Sequence, residues 1–106
     1  MLALCLWWNG VDTLRADVVF GEDAEFRYFK GLTEASTPDT TAWRSVGFDD
    51  SAWLIGRGPF FYEDSSGFTG NTGLTDMRGN YSCIFLRKTF NVAAPAGVSE
   101  LTLTIQ

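Results

Sequence analysis

Carboxylates are the groups in this chain most able to do chemistry, and among its 13 Asp and Glu the candidates are Asp49-Asp50, Glu63-Asp64 and Asp76. Two carboxylates flanking a scissile bond are the tools of glycoside hydrolysis, but they must converge on the sugar from two sides. Adjacent residues on one turn diverge, and no further acid stands at a matching spacing. Asp49 and Asp50 therefore read first as turn-capping groups and as partners for Arg87, with metal ligation second and catalysis last. Glu63, Asp64 and Asp76 are candidates for holding a structural Ca²⁺, which favours carboxylate and carbonyl oxygens. No ligand loop of recognised spacing surrounds them, so a solvated acidic loop is the first reading and Ca²⁺ the second. Tyr62, Phe68 and Tyr81 border the same loop and are the candidates for a ring platform on which a sugar stacks.

Histidine is missing from the sequence. Its absence removes the commonest general base and neutral metal ligand, together with every Ser-His-Asp or Cys-His arrangement. No catalytic residue is assigned, and no cofactor is implied beyond the Ca²⁺ option. Gly70-Asn71-Thr72-Gly73 is a turn, because no lysine or helix follows it to cradle a phosphate. The net charge is −5 and the basic residues are scattered. Without a basic stripe neither nucleic acid nor an anionic membrane surface is an expected partner.

The elements that must position these groups read as strands and short turns. A chain of 106 residues, 45% hydrophobic and 15% aromatic, has the means for one domain with an aromatic core. Glu25-Phe26-Arg27-Tyr28-Phe29-Lys30 alternates rings with charges and ends at Gly31, as a strand does, with Phe29 at its turn into the loop. Thr37-Pro38-Asp39 predicts a capped helical turn that delivers Trp43 to the core. Phe48-Asp49-Asp50-Ser51-Ala52-Trp53 is an acidic turn bracketed by large rings, so Trp43, Phe48 and Trp53 are expected anchors. Gly56 and Gly58 are expected at tight turns. A long loop over residues 63–80, rich in glycine and asparagine, has the length of a functional loop.

Tyr81 to Val92 is the strongest strand, apolar on both faces near its middle as a central strand would be. It would bury Cys83 as an unpaired thiol, a disulfide with Cys5 being the alternative. Arg87 within it needs a carboxylate or carbonyls, since an unpaired buried charge costs several kcal/mol. Leu101 to Gln106 alternates Leu and Ile with Thr and Gln and predicts a final strand whose apolar face needs partners.

The order of these features resembles the galactose-binding-like jelly-roll domains over about residues 20–106. The quoted signature is the strand with Phe26 and Tyr28, then Trp43, the Phe48–Trp53 turn, Gly56-Arg57-Gly58-Pro59-Phe60, Asn80-Tyr81, and Phe85-Leu86-Arg87-Lys88-Thr89-Phe90-Asn91-Val92. Such domains occur as accessory modules of large secreted bacterial proteins and as N-terminal sugar-binding domains of some glycoside hydrolases. The resemblance implies an all-β jelly-roll β-sandwich, incomplete at the C-terminus. It also implies that Trp43, Phe48, Asp49, Asp50, Trp53, Gly56, Gly58, Arg87 and Phe90 are structural anchors.

Residues 1–16 read as a signal-peptide remnant: a seven-residue apolar run, too short for the roughly 20 a span needs, with a cleavage point after Ala16. An N-terminal strand or helix of the fold is the alternative. Residues 17–106 are then the N-terminal part of the β-sandwich. The functional expectation is a non-catalytic accessory module of an exported multidomain protein, secreted or on a bacterial cell surface, that binds carbohydrate or is structural. Its partners would be a glycan and other domains of the same polypeptide. The alternatives are the leading domain of a secreted hydrolase whose catalytic part lies elsewhere, and an adhesion or matrix module without a sugar site.

Overall fold

The computed structural model describes residues 18–62 and 69–104. Residues 1–16, for which a signal remnant is expected, Cys5 among them, lie outside the described residues, as do Glu63, Asp64, Phe68, Ile105 and Gln106. What is described is all-β. The strands are β1 (Glu25–Lys30), β2 (Leu54–Arg57), β3 (Phe60–Phe61), β4 (Thr72–Gly73) and β5 (Ile84–Arg87), with single 3₁₀ turns at Ala42–Arg44 and Pro95–Gly97. They form an antiparallel sheet in the order β2-β1-β5 and a two-stranded pair, β3-β4, which is parallel.

Alternation along β1 gives it two different faces, and each is closed by a different piece of chain. Phe26 and Tyr28 point to one side, where the Phe60 ring of β3 meets both edge-on at 5.9 and 5.2 Å. Arg27 and Phe29 point to the other, under the loop that connects the 3₁₀ turn to β2. There Phe29 lies 5.4 Å from Trp53, which in turn touches Trp43 at 6.4 Å and Phe48 at 5.8 Å. Phe85 of β5 is paired in register with Phe29 and meets Trp43 edge-on at 5.2 Å. Phe29 thus belongs to the strand and to its core face; the strand continues one residue beyond it, to Lys30.

The helical turn that carries Trp43 begins later than Thr37-Pro38 predicts. The approach to its N-cap, Thr41, is held by Asp39, whose carboxylate accepts from the Thr41 N–H at 2.8 Å and its hydroxyl at 2.7 Å. Ser36 completes it: the hydroxyl donates to the Asp39 carbonyl at 2.6 Å and accepts from the Trp43 N–H at 3.2 Å.

Other sequence expectations are corrected by the same geometry. The strand predicted over Tyr81 to Val92 is regular only at Ile84–Arg87, and β5 is paired on one side while β1 holds the centre of the sheet. Tyr81 belongs to the preceding turn, its N–H donating to the Met77 carbonyl. Cys83 is exposed and unpaired among the described residues, with its thiol lying against the bare α-carbon of Gly31. Residues 101–104 are exposed and in no ladder, so their alternation alone does not make a strand without a partner edge. Gly56 and Gly58 serve close approach and not turn geometry. A Cβ at Gly56 would stand 2.8 Å from Thr72 Oγ1, and one at Gly58 would collide with the Glu22 carbonyl oxygen.

The buried core among the described residues is thin: Ala35, Trp53, Leu74 and Tyr81 are each below a tenth exposed. Trp53 sits where three aromatic contacts converge, so few other side chains could replace what it buries. We expect Trp53→Ala to lose about 3–5 kcal/mol of unfolding free energy in urea titrations followed by circular dichroism. Val46→Ala, at a position 88% exposed in the same loop, should fall within about 0.5 kcal/mol of the parent.

Candidate functional site

Register places Arg27 of β1 directly opposite Arg87 of β5, on the face that carries the tryptophans. Like charges facing each other across a ladder repel. The acidic turn resolves this by lowering Asp50 between them. Its Oδ2 accepts from Arg87 Nε at 2.7 Å, and its Oδ1 lies 3.9 Å from Arg27 Nε.

Arg87 has a side chain only 8% exposed and spends its remaining donors on the loop backbone. It reaches the carbonyls of Trp43, of Ser45 at 2.9 Å and of Phe48 at 3.4 Å, with its guanidinium 5.3 Å from the centre of the Phe48 ring. A planar fork with five N–H groups suits this task, and lysine could not satisfy so many acceptors at once. Arg27 adds a bond to the Trp53 carbonyl at 3.3 Å. Asp49 faces away and accepts from the Ser51 N–H at 3.0 Å. The Ser51 hydroxyl first, and this N–H second, hold its carboxyl below the usual aspartate range. The two adjacent acids therefore have separate duties, one inside the turn and one between turn and sheet.

Asp76 is tied down on the opposite side of β1. It accepts from Lys30 Nζ at 2.7 Å and from the Tyr81 hydroxyl at 2.6 Å, and these two bonds, Lys30 foremost, hold its carboxyl below the usual range. The Tyr81 ring is 9% exposed and lies 5.8 Å from Lys30 Nζ, so it presents little face to a ligand. Burial first, and its bond to Asp76 second, push the Tyr81 hydroxyl up to about 12. Of the sugar-platform candidates, Tyr62 is 43% exposed, and Phe68 lies outside the described residues. Among the described residues no three His, Cys, Asp or Glu side chains converge as metal ligands. Nor is any helix among them long and apolar enough to cross a membrane. Phe90 is 43% exposed and packs on Phe20 at 5.7 Å.

A groove runs beside the arginine cluster, between residues 46–50 and the ends of β1 and β5. It encloses about 280 Å³ and is lined in part by Glu25, Arg27, Phe48, Asp50, Lys88 and Thr89. No single stretch of sequence shows it, because its residues come from three distant segments. The signal available was the interleaving of Glu25 and Arg27 in β1 and the Arg87-Lys88-Thr89 run. Comparison with protein-family models, curated proteins and solved structures gives no match.

Replacing Arg87 with alanine leaves Asp50 facing Arg27 alone and three carbonyls without their donor. We expect a loss of about 3–5 kcal/mol in urea unfolding, as for breaking a buried ion pair. The second expectation concerns pH. A phenolic group with a raised folded pKa contributes stability that is whole below pH 10 and declines as pH rises toward 12. Ultraviolet titration should therefore show a tyrosine with a midpoint near 12, which Tyr81→Phe abolishes and Asp76→Asn lowers. The Asp76 contribution runs the other way, present above the ordinary aspartate range and lost as acid protonates it.

Proposed function

We propose that this chain is a non-catalytic β module of an exported multidomain protein, of the galactose-binding-like jelly-roll kind, that binds carbohydrate or acts structurally. The observation that carries the reading is the disposition of Asp49 and Asp50. A working carboxylate pair must be free to meet substrate from two sides. Here one carboxylate accepts its own turn's N–H and the other is held between two arginines. Two further ion pairs, Lys30–Asp76 and Arg57–Asp23, likewise fasten loops to strands. Such a division of labour supports a scaffold that presents a surface rather than one that turns over a substrate.

A second reading draws on the apolar surface. Leu54 and Ile55 of β2 are 47% and 52% exposed, and Leu101 and Leu103 are 61% and 71% exposed. Apolar side chains left open in this number favour contact with further polypeptide. Contact of that kind is what the leading domain of a secreted hydrolase and an adhesion or matrix module have in common.

The test is to screen the chain on a glycan array and in polysaccharide pull-downs, and to incubate it with chromogenic glycosides. Glycan capture without chromophore release is the expected result. Chromophore release that Asp50→Asn abolishes would overturn the non-catalytic reading. Capture of no glycan would move the assignment to the adhesion module.

A further inference from the structure

We propose that Asn80 is an N-glycosylation site, its side-chain amide receiving a glycan from a lipid-diphosphate-linked oligosaccharide. The proposal rests on the export part of the reading above, because this modification belongs to secreted chains. It does not depend on whether the module itself binds carbohydrate.

Four asparagines occur in the sequence, and one of them has a hydroxyl residue two positions on. Asn80-Tyr81-Ser82 meets the acceptor pattern, whereas Asn9, Asn71 and Asn91 are followed at that distance by Val11, Gly73 and Ala93. The pattern is Asn, any residue but proline, then Ser or Thr, on a surface loop. Three residues can match by chance, so the geometry has to decide.

The turn before β5 presents the triplet as a transferase requires. Tyr81 is buried, and its hydroxyl donates to Asp76 Oδ1 at 2.6 Å, so the middle residue is anchored inward. Asn80 and Ser82, on either side of it, are both exposed. Among the described residues, the side-chain bonds that fasten this turn run through Asn80, Tyr81 and Asp76 and spare the Ser82 hydroxyl. Asn80 Nδ2 donates to the Asp76 carbonyl at 2.7 Å. A primary amide has two hydrogens, so one holds that bond while the other can give way to a sugar. The fold therefore keeps its contacts when Asn80 is modified. Asn71 is the contrast: its Nδ2 is spent on the Gly58 carbonyl at 2.6 Å in a part-buried bond, and no hydroxyl follows it.

The transfer balances with the donor named. Nδ2 forms a bond to C1 of the first sugar, and the bond from C1 to the diphosphate oxygen breaks. The lipid diphosphate leaves with that electron pair, and one amide proton passes to a base of the transferase. Nothing is oxidised or reduced.

The experiment recovers the full chain from the medium or cell surface of its native source and measures its intact mass. An amidase that removes glycans from asparagine is then applied in heavy-oxygen water. The expected result is loss of a mass made of whole sugar units, with an isotope-labelled aspartate at position 80. Ser82→Ala should abolish the added mass while leaving the circular dichroism spectrum and the Asn80–Asp76 bond unchanged, and Ser82→Thr should retain it. An exported chain with Asn80 unmodified, or an added mass that survives Ser82→Ala, would overturn the proposal and leave the export reading standing. A chain found only inside the cell would remove both.

Discussion

Two arginines stand face to face across neighbouring strands, and the fold depends on the aspartate that comes between them. Without Asp50 the register that pairs Arg27 with Arg87 would set two guanidinium groups against each other on the face that must also bury Trp53. With it, repulsion becomes a three-centre ionic contact, and the loop that carries Asp50 is drawn onto the sheet. The Arg87 fork then collects the carbonyls of Trp43, Ser45 and Phe48, so one side chain fastens that loop to the sheet at three points. Trp43 and Phe48 follow because two of those carbonyls are their own, and Trp53 follows because Arg27 holds its carbonyl. The aromatic cluster is in this sense a consequence of the ionic one.

That ordering accounts for what the sequence revealed. Rings alternating with charges over residues 25–30 are a local pattern, and the strand is where the pattern puts it. The need of Arg87 for a carboxylate was legible from its apolar neighbours, and Asp50 answers it. Trp43 and Trp53 were legible as neighbours because a short acidic turn joins them. Boundaries were less readable. Asp39 and Ser36 start the 3₁₀ turn through side-chain bonds that compete with the Thr37-Pro38 signal, and propensity alone does not rank such bonds.

The errors share one cause: they concern what lies across a ladder rather than along a strand. β5 looked central because both its faces are apolar, yet pairing is decided by which edges meet, and β1 took the middle. Cys83 looked buried because strand residues usually are, yet its neighbour across the ladder is a glycine. Gly58 looked like a turn residue, but the fact that matters is the Glu22 carbonyl lying against its α-carbon. The groove is the extreme case. Its polar residues come from β1, from the acidic turn and from beyond β5, and no window on the chain shows all of them together.

The strand order carries a consequence for how the chain is made. β1 occupies the middle of the sheet but is synthesised long before β5, whose pairing begins opposite Lys30 only at Ile84. At a ribosomal pace of about 5–20 residues per second, the rings of Phe26, Tyr28 and Phe29 wait roughly 3–10 s for the segment that completes their ladder. Throughout that interval the nascent polypeptide displays a sticky, half-paired template. Its safe delivery is thus a question of timing and of chaperone cover as much as of final stability.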